Sequence, residues 1–240
     1  MCSIRIFLVI AFLTAPLQAA TVVLTPDRDN TLFESASGNT SSALGPNLFA
    51  GRTASGEMRR TLLHFDAGAI PAGSTITSAF LTLRMNRTRS GIIACSLHRV
   101  EDEWGNGNSD EGSNGGGAGA AATPDDPTWL YRFFNTVAWA QPGGDFDPFA
   151  LASTSVGNVG TYTWGSNAAL VAEVQSWVDS PSTNFGWMVR GGEASLQTAK
   201  RFDSVESTTA ANRPRLTIEF TPGSPVETAT WSGIKNLFRD

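Results

Sequence analysis

Apolar and polar residues alternate along most of this chain in short runs, the period-two pattern of strands with one buried face. In 79–85, Ala79, Leu81, Leu83 and Met85 fall on one side and Phe80, Thr82 and Arg84 on the other. The run 92–100 places Ile93, Cys95 and Leu97 inward and His98 outward, and 86–91 between the two runs reads as a hairpin loop. In 59–66, Thr61, Leu63 and Phe65 share a face opposite Arg60, Leu62 and His64. Further strands are expected at 21–25, 186–189, 200–205 and 215–220, with Gly, Pro, Asn and Ser between them, which is the rhythm of a sandwich or barrel. One segment has another period. Leu170, Val171, Val174, Trp177 and Val178 follow a cap at Ser166 or Asn167 and precede Pro181, so one short helix is expected over 166–179.

Two stretches break the alternation. Residues 105–122 are polar and glycine-dense, and are expected to form a long surface loop. The aromatic cluster that follows contains Trp129, Tyr131, Phe133, Phe134 and Trp139. Of the tryptophans, Trp177 and Trp187 lie on periodic apolar faces and read as core, whereas Trp129 and Trp139 border loops, where sugar stacking competes with simple burial.

Composition narrows the function classes. With 41% apolar and 16% charged residues the chain is globular rather than disordered. Its net charge of -5, without a run of Lys or Arg, argues against nucleic acid as a partner. The 24 Gly and 12 Pro supply turns for an all-β fold.

The first 20 residues have a charged start, an apolar middle and a small-residue end, which together read as a secretory signal peptide cleaved after Ala19 or Ala20. The apolar middle is shorter than the roughly 20 residues of a bilayer span. A secreted, extracellular or cell-surface protein is expected, with one β domain over 21–221. Cys2 would leave with the signal and Cys95 would remain alone, so no internal disulfide is expected. Residues 222–240 read as a linker and a short amphipathic tail bearing Trp231, Ile234, Leu237 and Phe238. That tail either packs back on the domain or associates with the cell surface.

No catalytic constellation emerges. The acidic residues Asp102, Glu103, Asp110, Glu111, Asp125 and Asp126 sit in or beside the polar loop and read as solvated charges. Tyr131, Tyr162, His64 and His98 form no lyase pattern, and metalloprotease, phosphate-loop and nucleophile-elbow motifs are absent. Asp27, Asp29, Asn30 and Glu34 crowd oxygen atoms near the first strand. Their spacing fails the calcium-loop rule, so turn and capping hydrogen bonds are expected there, with no cofactor and no metal assigned.

Six motifs in order carry a resemblance: 25–34 (TPDRDNTLFE), 59–66 (RRTLLHFD), Trp164-Gly165 through Trp177, Asn184 to Trp187, 201–206 (RFDSVE) and Arg213 to Leu216. Together they resemble the DNRLRE-domain family, related to carbohydrate-binding module family 96, over residues 22–220. The resemblance implies a jelly-roll β-sandwich in secreted proteins and a non-catalytic role in binding acidic, uronic-acid polysaccharides. Val205 departs from the family, which often has a basic residue there. A structural or adhesive surface protein is the alternative, and a lyase or hydrolase a more distant one. If Leu63, Leu81, Leu83, Cys95 and Leu97 point inward, then Arg60, His64, Arg84 and His98 point outward as a basic strip, with Trp139 beside it for ring stacking.

Overall fold

The computed structural model describes residues 18–112 and 117–223; most of the expected signal segment, up to residue 17, and the expected amphipathic tail, from residue 224, lie outside them. The elements in chain order are β1 (Ala20–Leu24), β2 (Arg28–Phe33), β3 (Thr40–Ser41), β4 (Asn47–Arg52), β5 (Met58–His64), β6 (Thr75–Thr88), β7 (Ile93–Arg99), β8 (Ala120–Ala121), β9 (Tyr131–Phe133), β10 (Val137–Ala138), β11 (Ala152–Val156), β12 (Gly160–Trp164), α1 (Ala168–Asp179), β13 (Trp187–Arg190), β14 (Lys200–Asp203) and β15 (Arg215–Thr221). Every strand pair is antiparallel, so the fold is an all-β, sandwich-like one with a single α-helix among the described residues.

The helix forms where the period changes. The Asn167 side chain accepts the Leu170 N–H at 2.9 Å, satisfying one of the unpaired donors of the first turn. Leu170, Val174, Trp177 and Val178 lie buried on one stripe, and Pro181 stands just beyond the end.

The register places most strands in two sheets, with β3–β8 and β9–β10 as separate two-stranded pairs. In the first, Leu81 of β6 pairs with Trp164 of β12 and Leu216 of β15, and Met85 pairs with Gly160 of β12 and Phe202 of β14. A strand has two edges, so β14 and β15 lie one after the other along the same edge of β6, separated by the excursion 204–214. β1 pairs with β15, and β4 with β14. The second sheet runs β2, β5, β13, β7, β11. β4 joins the two: Asn47 to Ala50 pair with β14, then Gly51 and Arg52 pair with β5.

The core lies between the sheets and under the helix. It includes Leu63, Phe65, Leu81, Leu83, Met85, Cys95, Leu97, Trp164, Trp177, Trp187 and Phe202. The Trp177 and Trp187 rings are 4.7 Å apart, an aromatic contact of about 0.5–1.5 kcal/mol beyond burial alone. Trp164 spends its indole N–H on the Cys95 carbonyl at 2.8 Å. Cys95 is a free, buried thiol whose pKa burial pushes up to about 12, so it is chemically quiet.

Two expectations are corrected. The link between β6 and β7 is not a hairpin turn, because β6 pairs within the first sheet and β7 within the second. The glycine-dense stretch is not simply a surface loop. Trp104, Trp129 and Trp139 pack with Leu32, Leu62, Val100 and Met188 into a second core over the outer face of the second sheet. Within that layer Gly105 and Gly107 are buried, and a Cβ on Gly105 would meet the Asp125 carbonyl oxygen at 2.0 Å. Glycine is there for close backbone approach rather than for flexibility.

Candidate functional site

The second layer decides the fate of the expected basic strip. Arg60 is buried: its guanidinium lies 4.9 Å from the Trp129 ring centroid, donates to both oxygens of Glu193 at 2.9 and 3.0 Å and to the Gly143 carbonyl at 2.8 Å. His98 is 3% exposed, with Nδ1 2.8 Å from the Asp147 carbonyl and Nε2 2.8 Å from Ser96 Oγ; burial lowers its pKa. His64 is held between Asp27 Oδ1 (2.6 Å) and the Asn184 carbonyl (3.2 Å). Trp139 is 5% exposed and donates its indole N–H to the Thr128 carbonyl. Arg84 stands on β6, in the other sheet. These five residues therefore form no common exposed face. Trp129 is buried as well, so neither loop-bordering tryptophan presents a ring for stacking.

The oxygen-rich segment near the first strand is spent mostly on long-range hydrogen bonds to other segments rather than on turns and caps. Asn30 Oδ1 accepts from Thr31 N, Ser41 Oγ and Ser42 N, and Glu34 Oε2 accepts from Met58 N. Among the described residues no group of three or more His, Cys, Asp or Glu is placed to hold a metal ion.

A different basic site is built at the rim where β4 leaves one sheet for the other. Gly51 has φ +119°, and a Cβ there would lie 2.9 Å from Ala199 Cα, so the crossing needs glycine. That close approach seats Arg52 against 198–199: its N–H donates to Thr198 Oγ1 at 2.9 Å, and its carbonyl accepts from Thr198 and Ala199 N–H groups. Across β4, β14 and β6, the residues Phe49, Arg201 and Arg87 stand in one cross-strand row and share a face. Arg59 enters from β5 and Arg89 from the connection after β6. The result is an open cavity of about 310 Å³ lined by Arg52, Arg59, Arg87, Arg89 and Arg201 around Phe49, with no Asp or Glu in its lining among the described residues.

Each inner arginine has a neutral oxygen among its partners. Arg52 Nε donates to the Gly56 carbonyl at 2.6 Å, Arg59 Nη1 to the Met58 carbonyl at 2.9 Å, and Arg201 Nε to Asn86 Oδ1 at 2.6 Å. The Arg59 guanidinium also lies 4.9 Å from the Phe33 centroid. Arg87 and Arg89 are exposed. Burial lowers the pKa of Arg59 and Arg201; for Arg201 the charge of Arg87 adds to the effect, whereas Glu57, Glu34 and Glu111 near Arg59, and Asp203 and Glu111 near Arg201, oppose it. Glu111 faces the cluster from the side, with its Oε2 accepting the Gly119 N–H, and burial raises its pKa. The site thus sets Arg87 and Arg201 side by side as like charges, with the neighbouring carboxylates outside the lining of the cavity. Sequence reasoning missed these arginines because the register that brings 52, 59, 87, 89 and 201 together is set by strand pairing between distant segments.

A second cavity, of about 470 Å³, is lined by Arg60, Glu101, Asp102, Asp145 and Phe146. There the positive charge is already neutralised, because burial opposes the charge of Glu193 yet hydrogen bonds from Arg190 and Arg60 hold its pKa at about 2. Among the described residues no helix is long and apolar enough to cross a membrane. No protein-family model matches the chain, and no curated protein matches it.

Proposed function

We propose that this chain is a non-catalytic, secreted module that binds an anionic polysaccharide, and that it does so at the arginine-lined cavity. One observation carries the reading: five guanidinium groups converge on one cavity with no carboxylate among the described residues that line it, on a chain whose net charge is -5. Arginine recognises carboxylates through paired, parallel hydrogen bonds, which suits a uronic-acid polymer better than a neutral glycan. Phe49, Ala54 and Ala199 give the same cavity an apolar floor for a sugar ring. The ordered motifs that resemble the DNRLRE-domain family lead to the same ligand class, and the signal-like first 20 residues lead to the same compartment.

The experiment is a binding comparison by calorimetry on the mature chain, using alginate and polygalacturonate oligomers against a neutral glucan at low and high salt. Binding to the acidic oligomers should weaken as salt rises. The double variant Arg87→Ala with Arg89→Ala should reduce affinity by roughly tenfold or more, the scale of a lost charge-assisted hydrogen bond. Equal affinity for the neutral glucan, or no loss in the double variant, would overturn the assignment.

A further inference from the structure

The residue next to Arg201 points the other way. Alternation along β14 sends Arg201 to the cavity face and Lys200 into the interior, where it is 0% exposed. A buried ammonium must find acceptors, and the common solution is a carboxylate. Lys200 has none among the described residues. Its Nζ donates instead to Thr88 Oγ1 at 2.9 Å and to the backbone carbonyls of Ser90 at 3.3 Å, Gly91 at 2.6 Å and Gly157 at 3.3 Å.

Those four oxygens come from three pieces of chain: the end of β6, the connection from β6 to β7, and the turn between β11 and β12. The first two carry Arg87, Thr88 and Arg89 of the cavity. The connection passes from one sheet to the other; β14 pairs with it only as far as Thr88, and beyond that Ser90 N donates to Thr88 Oγ1 at 3.1 Å and Ser90 Oγ reaches the Thr198 carbonyl at 3.5 Å, so Lys200 supplies its contacts at Gly91. Thr88 Oγ1 and Ser90 Oγ lie 3.3 Å apart within it, and Ile92 at its far end is 75% exposed. The turn at Gly157 has its own brace, because Gly157 N donates to Tyr162 Oη, which in turn donates to the Asn158 carbonyl.

We infer that Lys200 is a positioning residue for the arginine cavity: its buried ammonium is an internal cation that draws the 88–91 connection and the 157 turn onto β14 and so fixes Arg87 and Arg89 for an anionic ligand it never touches. This rests on the cavity being the binding site, but the strut itself can be read without any ligand.

The test therefore has two readouts. In Lys200→Met, hydrogen exchange should speed up in peptides covering 88–92 and 157–160 while β5 and β13 keep their protection. Affinity for an alginate oligomer should fall about tenfold, and adding Arg89→Ala to Lys200→Met should cost far less than Arg89→Ala costs in the wild type, since a displaced arginine has nothing left to lose. In Lys200→Ala, propylammonium chloride should restore protection of both peptides where sodium chloride at equal ionic strength does not. Should Lys200→Met fail to fold, Thr88→Val, which removes one acceptor only, carries the same exchange measurement. Unchanged exchange at 88–92, or loss spread evenly over all strands, overturns the strut. Loss of protection together with a wild type that binds no acidic oligomer leaves the strut standing and removes the binding reading.

Discussion

Arg201 of β14 stands directly opposite Arg87 of β6 in the antiparallel ladder, two like charges on neighbouring strands. Such pairs destabilise a sheet relative to neutral pairs, so the arrangement lowers stability where it builds positive potential. Arg87 is the exposed member. Arg87→Thr is expected to leave stability unchanged or raise it by up to about 0.5 kcal/mol, while weakening acidic-oligomer binding. Urea denaturation beside a binding titration checks both at once. A variant that is clearly less stable would mean that Arg87 has a structural role.

The ion pairs of the second layer behave oppositely. Glu193 receives Arg60 and Arg190 in a mostly buried setting. Glu193→Gln should cost about 3–5 kcal/mol, because it leaves two guanidinium groups without their counter-charge. The folded pKa of Glu193, about 2, lies below its ordinary value of 4.5. Its contribution is therefore present above pH 4.5 and is lost as pH falls toward about 2. Denaturation curves of wild type and variant should be far apart at neutral pH and converge in strong acid; curves separated equally at all pH values would contradict this.

A buried carboxyl pair has the reverse sign. Asp29, 1% exposed, faces Glu206 from β2, and Asp29 Oδ2 accepts the Val205 N–H at 2.7 Å. Burial raises the pKa of both groups, and for Asp29 the charge of Glu206 raises it further, while Arg213 pulls Glu206 the other way. Groups with raised folded pKa values contribute stability that is complete below their ordinary carboxylate range and is lost as pH rises through the raised values. Asp29→Asn, whose amide can donate to Glu206, should match the wild type in acid and exceed it in Tm at mildly alkaline pH. A constant difference across that range would show that the two carboxyls do not interact.

How far the sequence reached depended on whether a feature was local. The inward sets of β6 and β7, the helix with its Asn167 cap, and the core positions of Trp177 and Trp187 were legible because periodicity and capping act over a few residues. The assignment of strands to sheets was not, since alternation shows that His98 and Arg84 point away from the core without showing that β6 and β7 belong to different sheets. Nor does alternation tell an outer face that meets water from one that a further layer covers. Arg60 and Trp139 were misplaced for that reason. The layer's glycines, read as flexibility, serve close packing instead.

The place of β15 bears on how the chain reaches its native state. That strand sits between β1 and β6, so β1 and part of one edge of β6 have no partner there until residues 215–221 are available. A ribosome delivers those residues last among the described ones. Through most of synthesis the chain therefore holds unpaired strand edges and waits on a distant pairing, a slow closure of the kind expected for non-local β topology. Only when that strand arrives do β1, at one end of the chain, and the first half of β6 gain a partner along these edges, so the two ends of the described chain are stitched together in the last step.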